Sequence, residues 1–313
     1  MATLSASTPE NILLNAPTQE TIYYGYGAAA DPITSGATPR IPYQDFHSDL
    51  YAAPGTRIVP LDLSAALKCP GPATSPGLTA NYIKIEANDQ IATVSGGTSE
   101  LFYVIHGSGF THTAGVEIAY GAGDILTLPG SSAVHAATEE TIFYWVHDAP
   151  LLRYLGVKAA GPRFAPTIYP AERLTEELRK ITANPESANW SRKAILLGNK
   201  NFEQTMTITH VLWAMLGILP PAVRQLPHRH QSVALDFIVK ANPGAYTLVG
   251  TELDDAGQIK NPVRVDWMTS STFVTPPGYW HEHRNESGQP AYVMPIQDAG
   301  LHTYLRTLDI QFY

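Results

Sequence analysis

The chain has 313 residues, which as a prior corresponds to two domains of ordinary size or one large one. Hydrophobic residues make up 44 % and charged residues 15 %, enough for a packed core. The net charge of −8, without any run of Lys or Arg, argues against a nucleic-acid or anionic-membrane partner. Cys69 is the single cysteine, which excludes an internal disulfide and a thiolate metal cluster and fits a reducing compartment.

The opening "MATLSASTPENILLNAPTQE" lacks the basic start and apolar core of a signal peptide. Residues 1–75 are polar, rich in Pro and weakly periodic; "YAAPGTRIVPLDL" within them can supply a strand. From about residue 80, short β-type runs alternate with Gly, Pro and Asp turns: "NYIKIEA", "LFYVIHG", "GVEIAYG", "DILTLPG" and "TIFYWVH". After residue 165 the pattern changes. "PAERLTEELRKITANP" starts with Pro, carries Glu early and Lys and Arg late, and spaces Leu174, Leu178 and Ile181 at four and three, which predicts one short amphipathic helix. Strand patterns then resume through "TMTITHVLWAML", "ALDFIVKA", "AYTLVGTEL", "VRVDWM", "STFVTPP" and "AYVMPIQ". The most apolar stretch, 211–219, is about half the length of a membrane-spanning helix. The reading is a soluble, cytoplasmic protein.

Two blocks of strands thus flank a helical linker, and the blocks resemble each other. "DAPLLRYL" (148–155) and "DAGLHTYL" (298–305) share the pattern D-A-x-L-x-x-Y-L, and "DILTLPG" and "STFVTPPG" stand at matching points upstream. A tandem repeat of this composition predicts an all-β chain in which a jelly-roll β-barrel is used twice. The expected organisation is an N-terminal arm over 1–75, a first barrel over 76–165, a helical linker over 166–205 and a second barrel over 206–313.

Four of the eleven histidines fall in two H-x-H pairs, His228/His230 and His281/His283. On a strand, residues i and i+2 share a face about 6–7 Å apart, so a pair of imidazoles can share one metal ion. Two such pairs in one repeat unit make coincidence on a polar sheet face the weaker explanation. Imidazole suits Fe, Zn, Ni and Cu, and three neutral nitrogens leave coordination positions open.

"HRH" followed by "PPGYWHEHRN" resembles the cupin superfamily, whose second motif is G-x5-P-x-G-x2-H-x3-N. Pro276, Gly278, His281 and Asn285 meet it, and Ser270 stands at its first glycine. The longer segment "LWAMLGILPPAVRQLPHRHQSVALDFIV" is similar to the ring-cleaving bicupins of the gentisate and salicylate 1,2-dioxygenase group. That resemblance implies one Fe(II) held by His228, His230 and His281, with His283 beside it as a catalytic histidine that is not a ligand. It further implies a small-molecule substrate, O2 as co-substrate and a homo-oligomer. Trp213, Trp280 and Arg224 are the candidate substrate-binding residues, Arg224 because it is in phase with His228; Trp280 is open to packing instead.

The first block keeps Gly123 and Pro129 of the motif, but Val94 and Gly96 stand where His228 and His230 do, and His135 is one residue late. It reads as a degenerate cupin without metal ligands; a different site made of His106, His112 and His135 is the alternative. The resemblance fails at one more point. The family places a carboxylate-gripping arginine six residues past the second ligand, and here that residue is Asp236. Asp236 is an even step from His228, so on an unbroken strand it faces the metal as a second catalytic group; a bulge at 231–235 would turn it to solvent. Facing the metal, it would repel a plain aromatic acid gripped in the usual way. The leading expectation is therefore an Fe(II) dioxygenase acting on a hydroxylated aromatic or enol-like molecule. A metal-dependent lyase, isomerase or decarboxylase using Zn, Ni or Mn, and a non-catalytic binding protein, are the alternatives.

Overall fold

A computed structural model describes residues 19–190 and 192–313; the first 18 residues of the expected arm lie outside these. Residues through Arg40 form a unit of their own, in which the helix Tyr26–Ala29 buries nothing. From Ile41 onward the chain is a second unit built of four antiparallel sheets.

In spatial order, one six-stranded sheet runs Gln44–Phe46, Thr272–Thr275, Ala234–Lys240, Ala291–Gln297, Trp213–Leu219, Lys193–Leu197. A second runs Thr167–Tyr169, Ile125–Leu128, Glu100–His106, Thr141–His147, Thr79–Ile85, Arg57–Pro60. Each closes on a partner sheet, of four strands for the second and six for the first. The partner of the second holds Gln90–Thr93, Ala133–Ala137, Ser108–Thr113 and Val116–Gly121; the partner of the first is centred on Ala245–Gly250 and Trp280–Asn285. The result is two jelly-roll barrels, the all-β architecture expected. Residues expected to form a separate arm also contribute: Gln44–Phe46 pairs with Thr272–Thr275, and Arg57–Pro60 pairs with Thr79–Ile85.

Three cores separate the four sheets. Phe102, Val104, Phe143 and Trp145 fill the first barrel with Ile118 and Tyr120, and Ile238, Phe273 and Val293 fill part of the second with Val249 and Val265. Between the barrels, Tyr82, Leu101, Tyr144 and Val146 pack against Leu235, Phe237, Met294 and Ile296. The two large sheets are therefore covered on both faces. This explains why Thr141–His147 is buried at every residue and reads as a continuous apolar run, without polar alternation.

The helix Ala171–Ala183 forms as its spacing predicts. Leu174 and Leu178 are buried, and the opposite face carries Arg173–Glu177 and Glu176–Arg179 ion pairs. The repeat also acquires a physical meaning. Asp148 accepts hydrogen bonds from the amides of Thr98 and Ser99, and Asp298 accepts one from the amide of Val233. In each barrel the aspartate that opens D-A-x-L-x-x-Y-L thus pins the chain at the entry to a central strand, and the helices Ala149–Leu155 and Ala299–Leu305 follow.

Candidate metal centre

His228 begins a two-residue strand that pairs opposite His281 on one side and Phe312 on the other. On Trp280–Asn285 alternation sends His281 and His283 into the second barrel. Glu282 lies on the opposite face, where it bonds Arg224 and Arg284. His230 follows just past the short strand. Ring centroids are 3.9 Å apart for His228–His281, 5.0 Å for His230–His281 and 5.9 Å for His228–His230. One ring nitrogen from each of the three lies within 4.8 Å of the others.

The hydrogen bonds fix which nitrogens these are. His228 Nδ1 is 3.1 Å from the His281 carbonyl, His230 Nδ1 is 2.9 Å from the Ser232 carbonyl, and His281 Nδ1 is 3.1 Å from the Tyr279 carbonyl. A carbonyl oxygen only accepts, so each Nδ1 carries the proton and each Nε2 carries a lone pair. His230 Nε2 is buried and has no hydrogen-bond partner, a costly arrangement for a polar atom unless a cation takes the lone pair. Burial holds His228 and His281 neutral, well below the usual imidazole range, and pushes His230 down to about 4. Three neutral Nε2 donors converging on one point fit a divalent first-row metal ion.

His283 is held differently. Its Nδ1 is 2.7 Å from Thr247 Oγ1, which accepts the Trp267 indole N–H at 2.8 Å. A hydroxyl has one hydrogen and two lone pairs, so its partner can take either tautomer, whereas the carbonyl partners of the other three histidines allow only one.

A cavity of about 50 Å³ adjoins the histidines; its lining includes Arg192, Lys193, Met215, Gln225, Asp236, Val293, Pro295 and Gln297 with His228, His281 and His283. The strand Ala234–Lys240 keeps regular register through Ile238 and shifts only after it. Leu235 and Phe237 accordingly enter the inter-barrel core, while Asp236 turns into the cavity. Thr275 Oγ1 donates to Asp236 Oδ2 at 2.6 Å, and burial raises the carboxyl to about 7.

The three expected substrate-binding residues are not among the residues lining this cavity. Arg224 is opposite Arg284 in the ladder and bonds Glu282 and Gln258 on the outer face. Phase with His228 does not carry across the irregular turn at 225–227. Trp280 alternates outward, beneath the Arg229 guanidinium. Trp213 shares a strand face with Met215 and Gly217 but stands at the strand's end, paired with Gln297. The arginine that does line the cavity is Arg192, with Lys193 next to it. Nothing in the local pattern of "NWSRKAILL" marks it, because its place depends on Lys193–Leu197 pairing with Trp213–Leu219.

The first barrel has no comparable grouping among the described residues. Phe102, at the position of Asp236 in the repeat, stacks on Trp145 at 5.4 Å and packs against His135 at 4.7 Å and Phe143 at 6.0 Å. His135 is fixed between Thr93 and Thr111, and His106 and His112 are exposed.

The buried groups set a direction for acid stability of the metal-free protein. Burial lowers His135, His147 and His283 to about 3 and His230 to about 4, against about 6.5 in an unfolded chain. As pH falls from about 6.5 toward 4, the unfolded chain takes up protons that the folded chain refuses, so stability falls. Asp236, Asp298 and Glu100, each raised to about 7, act the other way, because the folded chain keeps protons that the unfolded chain releases above about 4. With His228 and His281 also depressed, the histidines outnumber the carboxylates. The midpoint of denaturant unfolding is therefore expected to be lower at pH 5 than at pH 7, and a rise would contradict this balance.

No family model matches the chain. Over 165 residues it is 29 % identical to gentisate 1,2-dioxygenase 1 of Aquipseudomonas alcaligenes, covering 51 % of this chain and 44 % of that protein. Over 172 residues it is 26 % identical to 1-hydroxy-2-naphthoate 1,2-dioxygenase of Nocardioides sp. (strain KP7), covering 54 % and 40 %. The matches span less than half the length of these curated relatives. In structure it matches salicylate 1,2-dioxygenase from Pseudoaminobacter salicylatoxidans. A variant in complex with gentisate gives a TM-score of 0.73 at 13 % identity, over 99 % of this chain and 97 % of that one. A second structure of that dioxygenase gives 0.71 at 15 % identity, over 98 % of each chain. Procruciferin, an 11S globulin of Brassica napus, matches at 0.56 and 13 % identity, over 87 % and 86 %, so likeness of fold alone does not decide activity. Among the described residues no helix is long and apolar enough to cross a membrane. The chain has the bicupin fold, and its relatives in sequence and structure include dioxygenases of the gentisate and salicylate 1,2 group.

Proposed function

We propose that this protein is a mononuclear Fe(II) dioxygenase whose metal is held by the Nε2 atoms of His228, His230 and His281 in the barrel of residues 206–313. The substrate is a hydroxylated aromatic or enol-like molecule, cleaved at a carbon–carbon bond with both atoms of O2 entering the product. The observation that carries this reading is the convergence of three neutral Nε2 lone pairs, one of them buried without a partner. Fe(II) at that point supplies positions for substrate oxygens and O2 together and a path for electron density between them.

The chain's own residues do the rest. The backbone carbonyls of His281, Ser232 and Tyr279 hold the ligand rings in the tautomer that binds metal, and such outer partners are worth about 10–100-fold in metal affinity. With the Thr247 hydroxyl donating to its Nδ1, His283 would hold a proton at Nε2 and serve as donor to a substrate or oxygen atom gaining negative charge. Asp236, anchored by Thr275, accepts a hydrogen bond from a substrate hydroxyl. Met215, Val293 and Pro295 exclude water from the ring face.

The experiment is metal analysis of anaerobically purified protein, then oxygen uptake after Fe(II) loading with a panel of hydroxylated aromatics and β-diketones. About one iron per chain with substrate-dependent uptake is the expected result. Turnover with Zn, Ni or Mn and without oxygen would replace the oxygenase by non-oxidative metal chemistry, and failure to load any metal would overturn both.

A further inference from the structure

We infer that the cavity between the helix Ala171–Ala183 and the two large sheets is a second ligand site, which binds a monocarboxylate with an apolar chain, its head at Lys240 and its chain among the buried side chains within. The site stands apart from the proposed reaction and does not depend on it.

The cavity measures about 500 Å³, within the range of roughly 300–1,000 Å³ usual for small-molecule sites. It lies behind the wall of the metal centre. On Trp213–Leu219, Met215 and Gly217 border the metal cavity while Leu216 and Ile218 border this one. On Ala291–Gln297, Val293 and Pro295 border the metal cavity while Tyr292 and Met294 border this one. Alternation along both strands thus puts two separate spaces on opposite faces of one sheet. Tyr103 and Ile125 of the first barrel supply the facing wall, and Leu174 and Leu178 of the helix the roof.

Burial gives the cavity a direction. Ile125, Leu174, Leu178 and Met294 are buried, whereas Thr175, Arg179 and Lys240 are exposed at its rim. The inner side chains are apolar, and water among them forgoes hydrogen bonds that a hydrocarbon chain does not need. The rim sets the head. Arg179 is already held by both carboxylate oxygens of Glu176, but the Lys240 ammonium has no carboxylate and no hydrogen-bond acceptor among the described residues. The register of Ala234–Lys240 shifts between Ile238 and Lys240, so Val239 and Lys240 both border the cavity instead of alternating. Tyr292 is the register partner of Lys240, and its hydroxyl likewise has no hydrogen-bond partner among the described residues. An ammonium and a phenol side by side, at the rim of an apolar space, suit one carboxylate: the ammonium supplies charge and both donate to its oxygens. A cationic head would meet Lys240 as a like charge.

Calorimetric titration of the full chain with decanoate, octanoate, 1-decanol and decylamine, each below its micellar concentration, tests this. Decanoate is expected to bind at one site per chain, about tenfold tighter than octanoate because two more CH₂ groups are buried. Decylamine is expected to bind more weakly than decanoate. Lys240→Ala is expected to weaken decanoate about three- to fivefold, the range of an exposed ion pair, and to leave 1-decanol within about twofold. Ile218→Trp fills the space from the sheet and Thr175→Trp from the exposed side of the helix, and each is expected to abolish binding of both acids. An unaltered thermal midpoint identifies variants that remain folded. Undiminished decanoate binding by a folded tryptophan variant, or no decanoate binding by wild type, overturns the inference. Decylamine bound as tightly as decanoate, or decanoate unaffected by Lys240→Ala, overturns the carboxylate head. Self-association that a tryptophan variant removes, without decanoate binding, gives the cavity to a second copy of the chain instead.

Discussion

His230→Ala is expected to abolish tight metal binding. Its Nε2 is the buried nitrogen with no protein partner, and its ring is held by two groups rather than one. Nδ1 faces the Ser232 carbonyl at 2.9 Å and Ser232 Oγ at 3.0 Å, and that hydroxyl donates onward to Gln297 at 2.8 Å. Loss of an outer partner of a ligand costs about 10–100-fold in affinity. Loss of the ligand itself, leaving two imidazoles, exceeds that range, whereas Ser232→Ala should fall within it. Metal content after gel filtration and a competitive chelator titration measure both. Full retention of metal by His230→Ala would remove the three-histidine centre from consideration.

Phe237→Ala is expected to destabilise the protein by about 3–5 kcal/mol, the usual cost of emptying an aromatic site in a core. Phe237 is fully buried between the barrels, stacked on Tyr144 at 4.6 Å with 23° between planes and tilted against Tyr103 at 5.3 Å. Tyr144 and Tyr103 belong to the first barrel and Phe237 to the second, so the deletion attacks their common core. Equilibrium denaturation reads the loss as a lower midpoint. A change under about 1 kcal/mol would mean that the surrounding side chains collapse into the space, which the aromatic packing on both sides opposes.

The features legible in the sequence are those with a local period. The two H-x-H pairs, the Leu174–Leu178–Ile181 spacing and the repeated D-A-x-L-x-x-Y-L each need only a few consecutive residues, and the structure puts the leucine spacing in a helix, His281 and His283 on one strand, and His228 on a short strand with His230 just past it. The orientation of Asp236 was half legible. An even step from His228 predicts its face on one strand, but the chain runs through an irregular link at 231–233, and only the register of Ala234–Ile238 against Ala291–Gln297 decides the matter. Arg224 misled for the same reason in reverse, since its phase with His228 is broken at 225–227 and its partner Glu282 is 58 residues away. Arg192 was illegible because its cavity is assembled across three strands distant in sequence. Local pattern marks which side chains alternate; long-range pairing decides what they meet.

The filled interior of the first barrel makes its history hard to reverse. Val94 and Gly96, which stand where the second barrel has its paired ligands, are exposed, with Val94 at 73 % of its full accessibility. Gly96 has φ +72°, a conformation in which histidine is strained. Restoring imidazoles at both positions would set them on the surface, outside an interior already occupied by Phe102, Trp145 and Phe143. A ligand restored at either of those positions would leave that stack in place, so recovering a metal site in this copy takes several coordinated replacements, whereas the other copy already has its histidines in place.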